Sequence, residues 1–236
     1  MLVDTFITVK QSRALVEWIA ASGKNPTTIY ATHGHGDHFF GVNTIRERFP
    51  NARFVATRDV ITVMREQASS PVLESFWKSR FPGQIDSTLV IADELAGNVL
   101  ELEEQKLVSI PLGHTDTKST TCLHVPSISL VVAGDAVYND VHVYLAESNA
   151  DSRKEWIAAL DTIESLKPDA VVAGHKRPGA ADAPGNIAET RQYIRDFDRI
   201  AAHTQTAQDL YKQMLALYPG RVNSGALWSS ARGVKH

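Results

Sequence analysis

One cysteine, Cys122, is the whole thiol content of this 236-residue chain, so no intramolecular disulfide can staple it and its fold needs no oxidising compartment. No stretch approaches the roughly 18 consecutive apolar residues that a membrane span requires. No charged-then-apolar leader opens the chain between Met1 and Lys10. Charge of one sign is not in excess either. The 24 Lys and Arg residues face 27 Asp and Glu residues, a net charge of −3, which offers no electrostatic footprint for nucleic acid or an anionic membrane. Internal repeats, linkers and low-complexity tracts are also missing. These absences lead to the expectation of a soluble, cytoplasmic protein whose partner is a small molecule, not a nucleic acid and not a membrane. With 43% hydrophobic residues at this length, there is ample material for a buried core.

What is present alternates between strand and helix patterns. Leu2 to Val9 reads as a strand that runs into a helix from about Ser12 to Ala21, with Leu15, Trp18 and Ile19 on one face and Gly23 as its stop. Thr27 to Ala31 is a β-branched strand, Gly41 to Phe49 a helix, Arg53 to Ala56 a strand, and Arg58 to Phe81 mainly helical. Between Thr88 and Val132 short apolar strands are separated by Pro111, Gly113 and Pro126. Ser152 and Glu155 have the spacing of a capping box, opening a helix whose apolar stripe is Trp156, Leu160, Ile163 and Leu166. Ala170 to Ala173 is a buried strand ending at Gly174-His175, and two amphipathic helices follow from about Asn186. One domain over residues 1–236 with a helical C-terminal extension is the economical expectation.

The chemistry concentrates in Thr32-His33-Gly34-His35-Gly36-Asp37-His38, a loop leaving a strand with three imidazoles and a carboxylate within six residues. Alternation puts His33 and His35 on one side of the chain, where both can reach one cation; Asp37 and His38 lie where the chain turns toward a helix and can face a neighbouring one. The two glycines are expected to let this backbone bend tightly. His114, Asp135 and His175 each follow a buried strand, the place where open α/β layers build their sites. Seven ligands of mixed nitrogen and oxygen type suffice for two cations.

That set of residues, in that order, resembles the metallo-β-lactamase superfamily, over nearly the whole chain. The resemblance implies an α/β fold, a four-layer αββα sandwich with metals at one edge of its sheets. It implies that His33, His35 and His114 hold a first metal, that Asp37, His38 and His175 hold a second, and that Asp135 bridges them. Two Zn2+ ions are expected, with iron or manganese as alternatives. The ligand set is similar to that of the glyoxalase II and acyl-homoserine lactonase branches, since true β-lactamases generally lack a carboxylate where Asp135 stands. The implied activity is hydrolysis of a small ester, lactone or thioester by a metal-bridging hydroxide, with Asp37 as the catalytic carboxylate. An iron-dependent persulfide oxygenase and a β-lactamase are the alternatives. Relatives carry further strands ahead of the one that Leu2-Val3-Asp4-Thr5 resembles; without them an open sheet edge is expected, which a homodimer would cover.

Outside the ligands, Tyr138, His142 and Tyr144 are candidates for a pocket lip, and Phe39 and Phe40 for its floor or for packing at a helix start. Thr115 and Asp116 are candidates to orient a metal-bound imidazole. Lys176 and Arg177 are candidates to meet an anionic substrate group or, the favoured expectation, to lie in a solvated turn; Cys122 is expected in the core, and His124, His203 and His236 in structural or exposed positions.

Overall fold

The computed structural model describes residues 1–235, so His236 lies outside the described residues. The chain divides into two compact units, Met1–Glu104 and Gln105–His236. Among the described residues no helix is long and apolar enough to cross a membrane.

In the first unit, strands β1 (Leu2–Val3), β2 (Thr28–Tyr30), β3 (Arg53–Ala56) and β4 (Asp93–Glu94) pair in that order, all in parallel. Parallel neighbours cannot be joined by a tight hairpin, so helices carry the chain across. These are α1 (Val9–Ala21), α2 (Val42–Arg48) and α3 (Arg58–Gln67). Of the face expected on α1, Ile19 is buried and Leu15 packs against the core, but Trp18 does neither. Ser12, Val16 and Ile19 face inward, while Trp18 is 70% exposed. The stripe centres on Ser12 because the chain at Gly41 comes so close that a Cβ there would lie 2.2 Å from Ser12 Oγ. A small polar residue at the tightest contact carries no apolar signal, which is why the sequence pattern passed over it.

The segment expected to be mainly helical is so, with one break after Gln67. Pro71 has no N–H to bond the Gln67 carbonyl, and its ring would crowd that turn. The chain restarts as α4 (Ser70–Val72), with the proline in its first turn, and continues as a π-helical turn over Leu73–Lys78. Strand β5 (Val99–Leu102) is the last element of this unit.

In the second unit, β6 (Gln105–Gly113), β7 (Thr120–Val125), β8 (Leu130–Asn139) and β9 (Ala170–Lys176) are neighbours in that order. The first two pairings are antiparallel; β8 and β9 are parallel and joined through α5 (Ala150–Ser165). The cap of α5 differs from the expected one. Asn149 is the N-cap, accepting from Asp151 N and Ser152 N, and Ser152 Oγ accepts from Asn149 N. An asparagine side chain reaches the first-turn donors as well as a serine does, and it stands three residues earlier. Trp156, Leu160 and Ile163 are buried as expected, with the Trp156 indole N–H donated to Ala136 O at 2.8 Å. The C-terminal region holds three helices, not two: α6 (Gly185–His203), α7 (Ala207–Leu217) and α8 (Ser224–Val234). Only Leu227, Ser230 and Ala231 of α8 are buried, too thin a stripe to announce a helix. Phe197, Ile194, Leu210, Met214 and Leu227 join Val131, Val171 and Trp156 in one core. Truncating a side chain such as Phe197 to alanine there costs about 3–5 kcal/mol. Cys122 is fully buried in that core, and burial pushes its thiol pKa up to about 12.

His142 is a core residue and not a pocket lip. Its Nδ1 lies 2.9 Å from Tyr193 Oη, and burial first, then the Arg221 charge, lowers its pKa from 6.5 to about 4. Between those two values the unfolded chain binds a proton that the folded chain refuses. Stability from this group is therefore complete above about pH 6.5 and is lost as pH falls toward about 4, by up to roughly 3 kcal/mol. Urea denaturation at about pH 5 and pH 7 checks this: His142→Gln should be less stable than the parent at pH 7, with a smaller loss between the two. An equal loss in both proteins would remove His142 from the acid sensitivity.

Candidate functional site

The parallel register of β1 and β2 sets Val3 opposite Tyr30, so both strands deliver their carboxyl ends at one edge of the sheet. Asp4 follows β1 and turns there with φ +57°, its N–H bonded to Tyr30 O at 2.8 Å. Thr32 follows β2. Asp4 Oδ1 accepts from Thr32 N and Oδ2 accepts from Thr32 Oγ1, both at 2.8 Å. The same Oδ2 lies 3.0 Å from His38 Nδ1, and Thr32 Oγ1 lies 3.0 Å from His33 Nδ1.

These four contacts fix two tautomers. The Thr32 hydroxyl has one proton and gives it to the carboxylate, so toward His33 it can only accept, and His33 Nδ1 carries the hydrogen. His38 Nδ1 likewise donates to Asp4. Both rings therefore offer the lone pair of Nε2 to a cation, the arrangement in which an outer partner orients a metal-binding imidazole. The rings converge: His33 and His38 centroids are 4.0 Å apart, and His33 and His35 5.1 Å. All three histidines are buried, and the half-buried Asp37 brings Oδ2 to 3.7 Å from His38 Nε2. Three imidazoles and a carboxylate fit a divalent transition-metal ion, with neutral nitrogen and anionic oxygen donors.

The glycines of this loop allow close packing, and Gly36 also opens the tight 3-10 turn Gly36–His38. Neither has positive φ; a Cβ at Gly34 would lie 2.6 Å from Val63 Cβ, and one at Gly36 would lie 2.4 Å from the Phe40 ring. Phe39 and Phe40 are buried in the core of this unit, as packing residues.

In the second unit the pairing of β8 with β9 slips. Gly134 faces Ala173 and Tyr138 faces His175, so four steps along β8 span two along β9. The surplus residues bulge and re-aim Asp135, as bulges beside sites do. Its Oδ1 occupies the space a side chain at 174 would need, 2.0 Å from where a Gly174 Cβ would stand. Asp135 Oδ2 accepts from Tyr138 Oη at 2.8 Å and lies 3.1 Å from His175 Nε2, with the Tyr138 ring stacked on His175. Tyr138 is thus buried beside a candidate ligand. His114 is half-buried, its Nε2 3.2 Å from Glu147 O. Thr115 Oγ1 lies 2.9 Å from both Asp116 Oδ1 and Thr120 Oγ1 in a buried network. Tyr144 is half-buried against the core, and Lys176 and Arg177 are paired with Asp182 and Asp140. His124 is half-buried and His203 exposed.

The structure therefore gathers His33, His35, Asp37 and His38 in one unit and Asp135 with His175 in the other. Sequence reading missed Asp4 and Thr32. The available signal was positional, since each stands just past the end of a parallel strand next to the ligand loop.

The family profile of the metallo-β-lactamase superfamily matches residues 1–175. No curated relative matches the sequence. Among solved structures, a metallo-β-lactamase family protein from Thermus thermophilus superposes with a TM-score of 0.68 at 20% identity, covering 98% of this chain and 82% of its own. A β-lactamase domain protein from Burkholderia ambifaria gives 0.67 at 18% identity, covering 98% and 75%. A metallo-β-lactamase from Pontibacter korlensis gives 0.61 at 16% identity, covering 82% of each chain.

Asp4→Asn keeps the shape and loses the anion that holds both tautomers. It should weaken metal binding by about 10- to 100-fold with the fold intact. Competition with a chromophoric chelator, alongside circular dichroism, measures both; an affinity equal to the parent's would dissociate Asp4 from the metal loop.

Proposed function

Because the chain belongs to the metallo-β-lactamase superfamily and has its fold, we propose that it is a two-metal, zinc-dependent hydrolase of small esters, lactones or thioesters. Membership itself implies a metal-dependent hydrolase. The observation that carries the finer reading is the Asp4–Thr32 network, which dedicates the Nε2 atoms of His33 and His38 to a cation. In this reading His33, His35 and His114 would hold one ion and Asp37, His38 and His175 the other, with Asp135 as the carboxylate that would serve both. Divalent cations bound there supply Lewis acidity and bring the pKa of a coordinated water toward neutrality.

The chain's own groups do the rest. Asp37, half-buried beside His38 Nε2, can accept a proton from an attacking water and relay it. Tyr138 Oη donates to Asp135 Oδ2 and holds that carboxylate in one orientation. A carboxylate at 135 lowers the net positive charge of the site, which suits an acyl substrate with a good leaving group. A β-lactam asks more, because its departing amide nitrogen must be stabilised as the bond breaks.

Protein purified without chelator should carry close to two zinc ions per chain by plasma-emission analysis. On zinc-loaded protein, kcat/KM for an acyl-homoserine lactone or a glutathione thioester should exceed that for a cephalosporin by at least about tenfold, ~1.4 kcal/mol. Much less than one ion per chain ends the metal reading, one iron per chain favours a persulfide oxygenase, and a cephalosporin preferred tenfold makes it a β-lactamase. Asp37→Ala should lower kcat by about 10²-fold or more while circular dichroism is unchanged; near-parental turnover would take Asp37 out of the mechanism.

A further inference from the structure

The family match ends at His175, yet the helices beyond it grip the segment between β8 and α5. Val141 bridges Val222 in parallel, and His142 N donates to Val222 O at 2.8 Å. Arg221 donates from Nη1 to Val141 O at 2.9 Å, with its guanidinium 4.9 and 5.0 Å from the centres of the Tyr193 and Tyr218 rings. Further on, Leu145 N donates to the buried Ser230 Oγ at 2.7 Å. Gly233 of α8 packs so tightly that a Cβ there would lie 2.8 Å from Ala146 O. At the far end, buried Arg153 donates to Ser148 O at 3.1 Å and pairs with Asp198 of α6 at 2.6 Å.

Glu147 sits between these clamps and is the residue that touches the turn after β6. Its Oε2 accepts from Thr117 Oγ1 at 2.8 Å, and its carbonyl oxygen lies 3.2 Å from His114 Nε2. We propose that the C-terminal helices α6 to α8 are a brace for residues 141–148, and that Glu147, held by that brace, is a positioning residue for His114. A peptide clamped on both sides of Glu147 has little freedom to withdraw, so the His114 ring inherits the rigidity of helices 80 to 120 residues downstream in the chain. Its importance for metal binding rests on the reading of His114 as a ligand.

Two glycines of α8 allow a matched test. Gly225→Ala adds a methyl whose nearest neighbour is 3.9 Å away, whereas Gly233→Ala must push on the Ala146 backbone. Long-range 1H–15N spectra of the histidine rings, recorded on metal-free protein, should show the His114 signals displaced in Gly233→Ala and in Ser230→Ala but not in Gly225→Ala. Chelator competition should show the first two binding metal about tenfold or more weakly, with thermal midpoints close to that of Gly225→Ala. Ser230→Ala decides the matter if Gly233→Ala does not fold. His114 signals identical in all three variants would overturn the brace. If the parent binds no metal, the hydrolase reading falls, while the ring spectra still decide the brace.

Discussion

An imidazole can hold a cation only through a nitrogen that carries no proton, and the first unit meets that demand with one carboxylate. Asp4 reaches His38 directly and His33 through Thr32, so one anion sets the tautomer of two buried rings. The arrangement depends on strand register. Pairing β1 one residue out of step would turn Asp4 to the other face of the sheet and leave both imidazoles unanchored. The left-handed backbone at Asp4 is part of the same constraint, costing on the order of 1 kcal/mol that the three hydrogen bonds to the carboxylate offset.

The second unit meets a related demand by different means. Asp135 is buried, and a buried carboxylate without partners would be too costly to keep charged. Tyr138 and His175 supply the partners, and Gly174 supplies the room. A polar group is thereby held in an apolar layer at a defined angle.

How much of this was legible in the sequence divides along physical lines. The clustering of His33, His35, Asp37 and His38 was legible, because His-x-His-x-Asp-His is rare. His114 does follow a strand, but Asp135 and His175 lie inside β8 and β9 and not past their ends, because the bulge lets each strand continue beyond its apolar run. Strand β3 was read at its observed limits, since its β-branched and aromatic residues are bounded by polar turns. On α1 Leu15 and Ile19 were placed correctly but Trp18 was not, and Ser12 was passed over because a small polar residue carries no apolar signal. Helix α8 was missed because only Leu227, Ser230 and Ala231 of it are buried. Asp4 and Thr32 were passed over for a different reason: their roles come from the alignment of two strands distant in sequence, which no local pattern encodes. Glu147 belongs with them, a residue whose meaning lies in what grips the chain on either side of it.

The surplus residues of β8 carry a further implication, for heredity as much as for chemistry. Strand pairing counts residues, and the direction of every side chain on a strand follows from the parity of that count. Between Gly134 and Tyr138 the count is deliberately out of step with the neighbouring strand. Deleting a single codon there would leave one surplus residue and turn the side chains beyond it to the opposite face, even though every candidate ligand would still be encoded. Alignments that score only the identity of the acidic residue would pass such a sequence as intact. The length of this short interval is therefore as much a part of the site's specification as the letters in it.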